Sequence, residues 1–216
     1  MALAVALSNA NLVYCDPPWR YGRDAKSNGW HGSARKHYKA MTQRQLCDMS
    51  VGDQVAKDCV ALVWATSSKM GEAIAILAAW GFEYKGVFLT WIKTDKATNT
   101  KPVMGLGKYT RSSTEFLLFG IKGKVQTGQL LTGATSASGL LFHPRAEHSM
   151  KPNATYTRIA EVFGGPGVRK RVELFARAAN PPPEAEAAFT QSCRRRPRPP
   201  RRCMLDVSHV AARHVV

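Results

Sequence analysis

Strand-length apolar runs alternate with helical patterns along the first 180 residues. The runs lie at about 11–16, 59–66, 84–94, 115–122 and 170–177. Each is apolar almost throughout, rather than at every second position, which is typical of strands in a sheet that is covered on both faces. Strands that alternate with helices favour a parallel arrangement. The pattern therefore predicts an α/β fold with a doubly wound, mainly parallel sheet in a single domain.

Three segments between these runs have a helical period, at 42–56, 67–81 and 151–165. In the second, Ser67 or Ser68 is the candidate N-terminal cap and Gly81 is the predicted stop. In the third, a proline lies near the first turn and apolar residues recur on one stripe. The members of that stripe are Tyr156, Ile159, Ala160 and Phe163.

Two long stretches, 20–40 and 95–114, interrupt this alternation. Both are rich in glycine, serine, lysine and arginine with interspersed aromatic residues, and both directly follow a predicted strand. Ligands of open α/β sheets bind outside the carboxyl ends of the strands, and loops of this length are usually functional. We interpret both stretches as candidate substrate loops; the alternative is that they are mobile surface loops.

The chain is strongly basic, with 31 lysines and arginines against 15 acidic residues and a formal net charge of +16. Residues 181–216 hold seven arginines and three acidic residues, a net charge of +4, which leaves +12 on the preceding part. Such a charge favours a polyanionic partner, because neutralising phosphates supplies most non-specific affinity for nucleic acid. A solubilising surface charge is the alternative.

Composition changes abruptly near residue 180. We predict a domain at 1–180 and a disordered or weakly structured proline- and arginine-rich tail at 181–216, whose "RRRPRPPRR" is either a nucleic-acid-binding arm or an extension without function. The apolar runs are too short to span a membrane and the amino-terminal residues lack a basic signal region, so we expect no membrane association and a cytoplasmic location. Five widely spaced cysteines without a CxxC pair indicate reduced thiols and no metal site.

The tetrapeptide "DPPW" at 16–19 directly follows the first predicted strand. Asp16 would lie at the mouth of the ligand crevice, and Pro17 and Pro18 stiffen the backbone while adding carbonyl acceptors without N–H donors. Acceptors in a rigid frame suit a substrate that is itself a donor, such as the exocyclic amine of adenine, which must be oriented toward an electrophilic methyl group. Trp19 adds a flat face for packing, or for stacking on an extruded base.

Several further motifs occur in order with "DPPW": "HYKAMT", "LVWAT", "WIKT", "EHSMKP" and "VELFAR". Together they resemble the DPPW-type N6-adenine methyltransferases, which comprise the eukaryotic mRNA adenosine methyltransferases and their bacterial and phage relatives. The resemblance covers roughly residues 10–180, and the compact size is most similar to phage-type members. It implies a class I, Rossmann-like S-adenosylmethionine (SAM) fold in permuted order, with the catalytic strand early and a cofactor-binding strand late.

The resemblance also implies roles for individual residues. The catalytic motif corresponds to Asp16, Pro17, Pro18 and Trp19. Cofactor contacts correspond to Asp16, His148, Lys151, Arg177 and Asn180, with Lys151 near the cofactor carboxylate and the last two near its ribose. Substrate contacts correspond to Tyr38 and Glu115, although Tyr38 could be ordinary loop packing and Glu115 a strand cap.

Core packing is favoured over substrate contact for Trp64 and Trp91, and a surface charge for Lys93. The leading function is SAM-dependent methylation of adenine N6 in nucleic acid, with DNA favoured over RNA, in a bacterial or phage-infected cell. The alternatives are a non-catalytic, basic nucleic-acid-binding subunit and a cytosine-N4 methyltransferase. The first of these gains support beyond Asn180, where relatives commonly have a Gly-Asn pair that this sequence lacks. A homodimer or a partner subunit is left open.

Overall fold

A computed structural model describes residues 7–21, 40–105, 109–126, 130–132, 136–146, 150–165, 167–175, 205–207 and 210–215. The strands of these segments are β1 (Leu12–Cys15), β2 (Cys59–Ala65), β3 (Glu83–Thr94), β4 (Thr114–Lys122), β5 (Leu140–Pro144), β6 (Arg171–Leu174), β7 (Leu205–Val207) and β8 (Val210–Val215). The helices are α1 (Gln43–Cys47), α2 (Val51–Gln54), α3 (Met70–Ala79) and α4 (Ala154–Phe163), and a 3-10 turn at Ser67–Lys69 precedes α3.

The strands form one sheet in the order β5-β3-β4-β2-β1-β6-β8-β7. β1 pairs in parallel with β2 and β6, and β3 pairs in parallel with β5, whereas β4 is antiparallel to both β2 and β3. The predicted α/β sheet is confirmed and all five predicted strands are present, but the sheet is mixed rather than mainly parallel, because only three of the seven strand pairings in the described segments are parallel. β5 is an additional edge strand that the apolar pattern did not indicate, because two of its residues, Leu140 and Phe142, are exposed.

Helices cover both faces of the sheet, which explains the continuous apolar runs. β1 and β2 are buried at every position. Val13 and Val63 point to a core that includes residues of α1, α2 and α3, whereas Tyr14 and Leu62 point to a second core formed with α4. The doubly wound arrangement predicted from the sequence is therefore confirmed.

The predicted helices differ from the observed ones mainly at their ends. The segment 42–56 forms two short helices, because Ser50 between them has a left-handed φ of 47°. Thr42 opens the first with a capping box that Gln45 completes. Neither Ser67 nor Ser68 caps α3, since the 3-10 turn precedes that helix, but Gly81 has a φ of 76° and ends it as predicted. Tyr156, Ile159 and Phe163 of the predicted stripe in α4 are buried.

Two strands occur within the segment that the sequence predicts as a disordered or weakly structured tail. β8 pairs antiparallel with β6, and β7 pairs antiparallel with β8. An open edge of β6 offers unpaired backbone groups to any extended segment, and the valines of Val210–Val215 suit a strand. The rest of 181–216 lies outside the described residues, and the predicted boundary and tail stay a prediction.

None of the helices in the described segments is long and apolar enough to cross a membrane. The three cysteines of the described segments, Cys15, Cys47 and Cys59, are free thiols.

Candidate active site

Asp16 lies at a topological switch point of the sheet. The next strand in sequence after β1 is β2, which lies on one side of it, whereas the strands that follow β6, namely β7 and β8, lie on the other side. Open α/β sheets bind ligands at such a point, outside the carboxyl ends of the strands. Phe175, directly after β6, has a φ of 64°, which is uncommon for a bulky side chain and costs of order 1–3 kcal/mol. Strained backbone of this kind clusters at ligand sites, which agrees with a site between β1 and β6.

The two prolines after Asp16 are buried and their carbonyl groups are hydrogen-bonded. The Pro17 oxygen accepts the Trp19 N–H at 2.8 Å, and the Pro18 oxygen accepts the Met41 N–H at 2.8 Å. The Arg20 N–H in turn donates to the Met41 oxygen at 3.1 Å. The segment at Met41 therefore braces the motif in one conformation, and the Pro17 oxygen retains one of its two lone pairs for a further donor.

Trp19 is a packing residue. Its side chain belongs to the core on the α3 face, it is only 4% exposed, and its indole N–H donates to the Trp64 carbonyl oxygen at 3.0 Å. A buried indole has no open face for a base, so stacking on an extruded base, the other role considered for it, does not fit this geometry.

Four charged side chains of alternating sign meet beside Asp16, and we call them the charge chain: Lys93, Glu115, Lys151 and Asp16. The Lys151 ammonium lies 2.7 Å from Asp16 Oδ1 and 3.3 Å from Glu115 Oε2, and the Lys93 ammonium lies 2.6 Å from Glu115 Oε1. Exposure of these side chains ranges from 11% for Lys151 and Glu115 to 21% for Lys93. Each interior member therefore has two partners of opposite charge.

Two tryptophan rings border the charge chain. Trp64 and Trp91 are each 1% exposed and pack edge to face at 6.3 Å, so the prediction of core packing is confirmed for both. The Lys151 ammonium lies 5.6 Å from the centre of the Trp64 ring, and the Lys93 ammonium lies 5.2 Å from that of Trp91. Cations over aromatic faces are stabilised by the ring quadrupole, most strongly where water is excluded.

The charge chain shifts the acid–base equilibria of its interior members. Burial by itself raises the pKa of the Glu115 carboxyl, but the positive charges of Lys151 and Lys93 outweigh it, and the pKa lies below its ordinary value. Burial by itself lowers the pKa of the Lys151 ammonium, but Asp16 and Glu115 outweigh it, and the pKa lies well above its ordinary value. Both groups are charged at neutral pH.

Comparison with known proteins identifies the family. The model of the MT-A70 family matches residues 10–184. This chain belongs to the MT-A70 family.

Three relatives of this MT-A70 chain illustrate the range of the family. A type II methyltransferase, M.MunI, from Mycoplasma sp is 34% identical over 180 residues, which cover 77% of this chain and 71% of that protein. A putative N(6)-adenosine-methyltransferase MT-A70-like protein of Medicago truncatula is 24% identical over 174 residues, and an N(6)-adenosine-methyltransferase MT-A70-like protein of Arabidopsis thaliana is 25% identical over 175. These alignments cover 81% of this chain but only 25% and 22% of the plant proteins.

Members of the MT-A70 family are SAM-dependent N6-adenine methyltransferases. The predicted resemblance, the Rossmann-like methyltransferase fold, the enzyme class and the SAM cofactor are therefore confirmed. Nucleic acid is accordingly the substrate class.

The structure brings together three of the residues predicted for the MT-A70 site, Asp16, Glu115 and Lys151, from separate parts of the chain. Glu115 is not a cap on the solvent side, because its side chain is 11% exposed and pairs with two lysines. The predicted residues Tyr38, His148, Arg177 and Asn180 lie outside the described residues. No group of three histidine, cysteine or acidic side chains within the described segments could hold a metal ion.

Lys93 is the residue of this MT-A70 site that sequence reasoning missed. The sequence favours a surface charge at Lys93, but its ammonium pairs with Glu115 and its side chain is only 21% exposed. Two signals pointed to it: Lys93 shares the strand face of buried Trp91, two residues away, and Glu115 lies opposite Trp91 in the β3–β4 register. Because β3 and β4 pair antiparallel, a sequence-based expectation of parallel pairing does not place Glu115 opposite Trp91.

Proposed function

We propose that this protein transfers a methyl group from SAM to the N6 amine of adenine in DNA, and that Asp16 accepts a hydrogen bond from that amine. The observation that carries the assignment is Asp16 itself, held at the switch point by the braced DPPW backbone on one side and the Lys151 ammonium, 2.7 Å away, on the other. An acceptor fixed before the substrate arrives spends no reorganisation energy in the transition state.

The charges of the site fit SAM. The methionine end of this cofactor carries a carboxylate and an ammonium group, and the charge chain offers a buried cation between two carboxylates. Lys151 would hold the cofactor carboxylate and Asp16 would interact with its ammonium. His148 is proposed to assist at this end, and Arg177 and Asn180 to contact the ribose.

SAM supplies an electrophilic methyl group when it is bound. The protein orients the acceptor: Asp16 and the remaining lone pair of the Pro17 oxygen are placed to accept the two N–H groups of the amine, which directs the nitrogen lone pair away from them. Pro18 and Trp19 hold this backbone in place through Met41 and Trp64. This mechanism requires no covalent enzyme intermediate.

DNA is the proposed nucleic acid because of one relative. The relative that this chain matches at 34% identity is named a type II methyltransferase, a class associated with DNA methylation. The net charge of +16 provides for binding to the phosphate backbone of either nucleic acid. Tyr38 and Glu115 are proposed on the substrate side of the site. We also propose a cytoplasmic location, where DNA and SAM are both present.

Methyl transfer from labelled SAM to matched DNA and RNA oligonucleotides tests the proposal. We expect transfer to DNA to exceed transfer to RNA, and no transfer when purine, which lacks the amine, replaces adenine. Asp16→Ala should lower kcat by roughly 10²- to 10³-fold, the usual effect of removing one preorganised group. Asp48→Ala, at a carboxylate that is 68% exposed directly after α1, is the matched control, and its activity should be unaffected.

Full activity of Asp16→Ala would contradict the assigned role, and a preference for RNA would contradict the DNA substrate. Calorimetry provides an independent readout: absence of heat on titration with millimolar SAM would reject the enzyme and favour the non-catalytic nucleic-acid-binding subunit.

A further inference from the structure

The described chain between β3 and β4 is built as a braced arm beside the active site, and we define this arm as residues 95–105 and 109–113. Its base is tied to Lys93, whose N–H donates to the Ser113 oxygen at 2.7 Å and whose oxygen accepts the Val103 N–H at 2.8 Å. The Lys93 side chain belongs to the charge chain. The arm is therefore fixed at the carboxyl end of β3, at the same edge of the sheet as Asp16.

The first part of the arm is a turn organised by one carboxylate. Asp95 accepts hydrogen bonds from the backbone N–H groups of Ala97, Thr98 and Lys101 and from the Thr98 hydroxyl, at 2.6 to 3.0 Å. The Asp95 N–H also donates to the Lys101 oxygen at 2.9 Å. The N–H groups of the turn, those of Thr98 foremost, hold the pKa of Asp95 well below its usual range. An exposed loop with so many bonds to one side chain is ordered before any partner binds.

The second part of the arm closes by a tight backbone approach. The Gly105 N–H donates to the Ser112 oxygen at 2.9 Å, and a Cβ at position 105 would lie 2.5 Å from that oxygen. Tyr109 lies between these two residues and is 89% exposed, the most exposed large apolar side chain of the described segments. The arm therefore presents an aromatic ring to solvent from a closed base.

Three cationic side chains lie among the described residues of the arm. Lys96, Lys101 and Arg111 are exposed, and none of them forms an ion pair within the segments that the structure describes. Asp95 is the acidic residue among them, and its oxygens are occupied by the turn. Cationic side chains and an exposed aromatic ring on the same loop are the combination that binds single-stranded nucleic acid, through phosphate contacts and base stacking.

We propose that the arm binds the nucleotides that flank the target adenine, with Lys96, Lys101 and Arg111 on phosphates and Tyr109 stacked on an unpaired neighbouring base. This inference rests on the proposed function, since it assigns part of the substrate site of the same reaction. Extruding an adenine from a duplex exposes its neighbours, so a stacking surface beside the site offsets part of the unstacking cost. Asp95 is a positioning residue, because a turn ordered in advance reduces the entropy lost on binding.

The stacking role is tested by fluorescence anisotropy with a single-stranded DNA probe. Tyr109→Ala should weaken binding by roughly 5- to 150-fold, the effect of losing one stacked base, and Tyr109→Phe should stay within about twofold of the wild type. In steady-state kinetics the same loss should raise KM for DNA and leave kcat and SAM affinity unchanged. Wild-type affinity for the Tyr109→Ala variant would overturn the stacking assignment.

The phosphate contacts are tested by salt dependence. Replacing Lys96 and Lys101 together by glutamine should reduce the slope of log K against log salt concentration by about 1.4, two single-strand contacts. Lys57→Gln with Lys124→Gln is the matched control, because these exposed lysines lie at the amino end of β2 and beyond the end of β4, at the opposite edge of the sheet. Equal slopes for the two double variants would overturn the assignment.

Asp95→Ala tests the turn through the direction in which DNA affinity changes. If Asp95 acts only as a negative charge on a loop that carries Lys96 and Lys101, its removal tightens DNA binding. If it holds the turn, its removal weakens DNA binding. We expect weaker binding, and tighter binding would overturn the positioning role. The binding assays do not require turnover. Failure of the proposed function therefore appears as wild-type protein that binds DNA without methylating it, whereas failure of the arm appears as arm variants that bind like the wild type.

Discussion

Removing the charge of Glu115 tests whether the charge chain is an integrated buried network. Glu115→Gln keeps the shape of the side chain but removes the carboxylate that Lys93 and Lys151 share. Within the charge chain, Lys151 then has Asp16 as its acidic partner. Glu115 and Lys151 are each 11% exposed, so the loss falls in the range for a buried pair, about 3–5 kcal/mol. Because the glutamine oxygen still accepts one hydrogen bond, we expect the lower end, about 3 kcal/mol.

The pH dependence of this loss follows from the pKa of Glu115. Its folded-state pKa is lowered, so its contribution to stability is fully present above the ordinary glutamate value of about 4.3 and is lost as the pH falls through the folded value. Glutamine does not titrate. The difference in unfolding free energy between wild type and variant should therefore be constant near neutral pH and should shrink on acidification below about pH 4.

Urea denaturation followed by tryptophan fluorescence measures both quantities. The matched control is Asp48→Asn, which breaks the exposed pair of Asp48 with Arg44, 3.8 Å apart with side chains 68% and 92% exposed. That change should cost less than about 0.5 kcal/mol. If Glu115→Gln costs no more than the control, or if its cost does not depend on pH below 4, then the charges are independent and solvated, and the reasoning from the geometry is wrong.

Two further predictions concern a close backbone approach and a side-chain hydrogen bond. Gly52→Ala would place a Cβ 1.7 Å from the Trp80 carbonyl oxygen and should destabilise the protein by at least about 3 kcal/mol, whereas Gly71→Ala, with open space at an exposed position of α3, should stabilise it by about 0.5–1 kcal/mol. Equal unfolding midpoints of the two variants in guanidinium chloride would contradict the close approach at Gly52. Tyr156→Phe removes a hydroxyl that donates to both oxygens of Glu173 at 3.1 Å and should cost about 1.5–3 kcal/mol in the same assay, and a neutral result would show that water replaces the hydroxyl.

The strands that matter most for the site were predictable because they are buried on both faces. Every residue of β1 and β2 lies in a core, so their apolar runs give their positions directly. The end of α3 was predictable from Gly81 for a similar reason, since the left-handed conformation there favours glycine. β5 was missed because an edge strand is covered on fewer sides and lacks a continuous apolar signal.

The arrangement of the charge chain was not predictable, because it depends on register. Lys93 and Glu115 are 22 positions apart, and they meet only because β3 and β4 pair antiparallel with Trp91 opposite Glu115. Lys151 reaches Asp16 across 135 positions. Sequence reasoning placed Asp16, Glu115 and Lys151 in one site through family resemblance, but the physical contact between them required the fold.

Stability alone does not account for these charges. Lys151 precedes the start of α4, where the helix dipole disfavours a cation, and it lies over the buried Trp64 ring, which would pack well against an apolar side chain. Replacing buried ion pairs by apolar residues of similar volume is often neutral or stabilising, so a fold that needed only stability would gain little from four charges here. The proposed site has to bind a zwitterionic cofactor end and to hold an acceptor for an amine, and this needs both signs of charge, fixed and close together. The cost of the charge chain to the fold supports our proposal that it serves this chemistry.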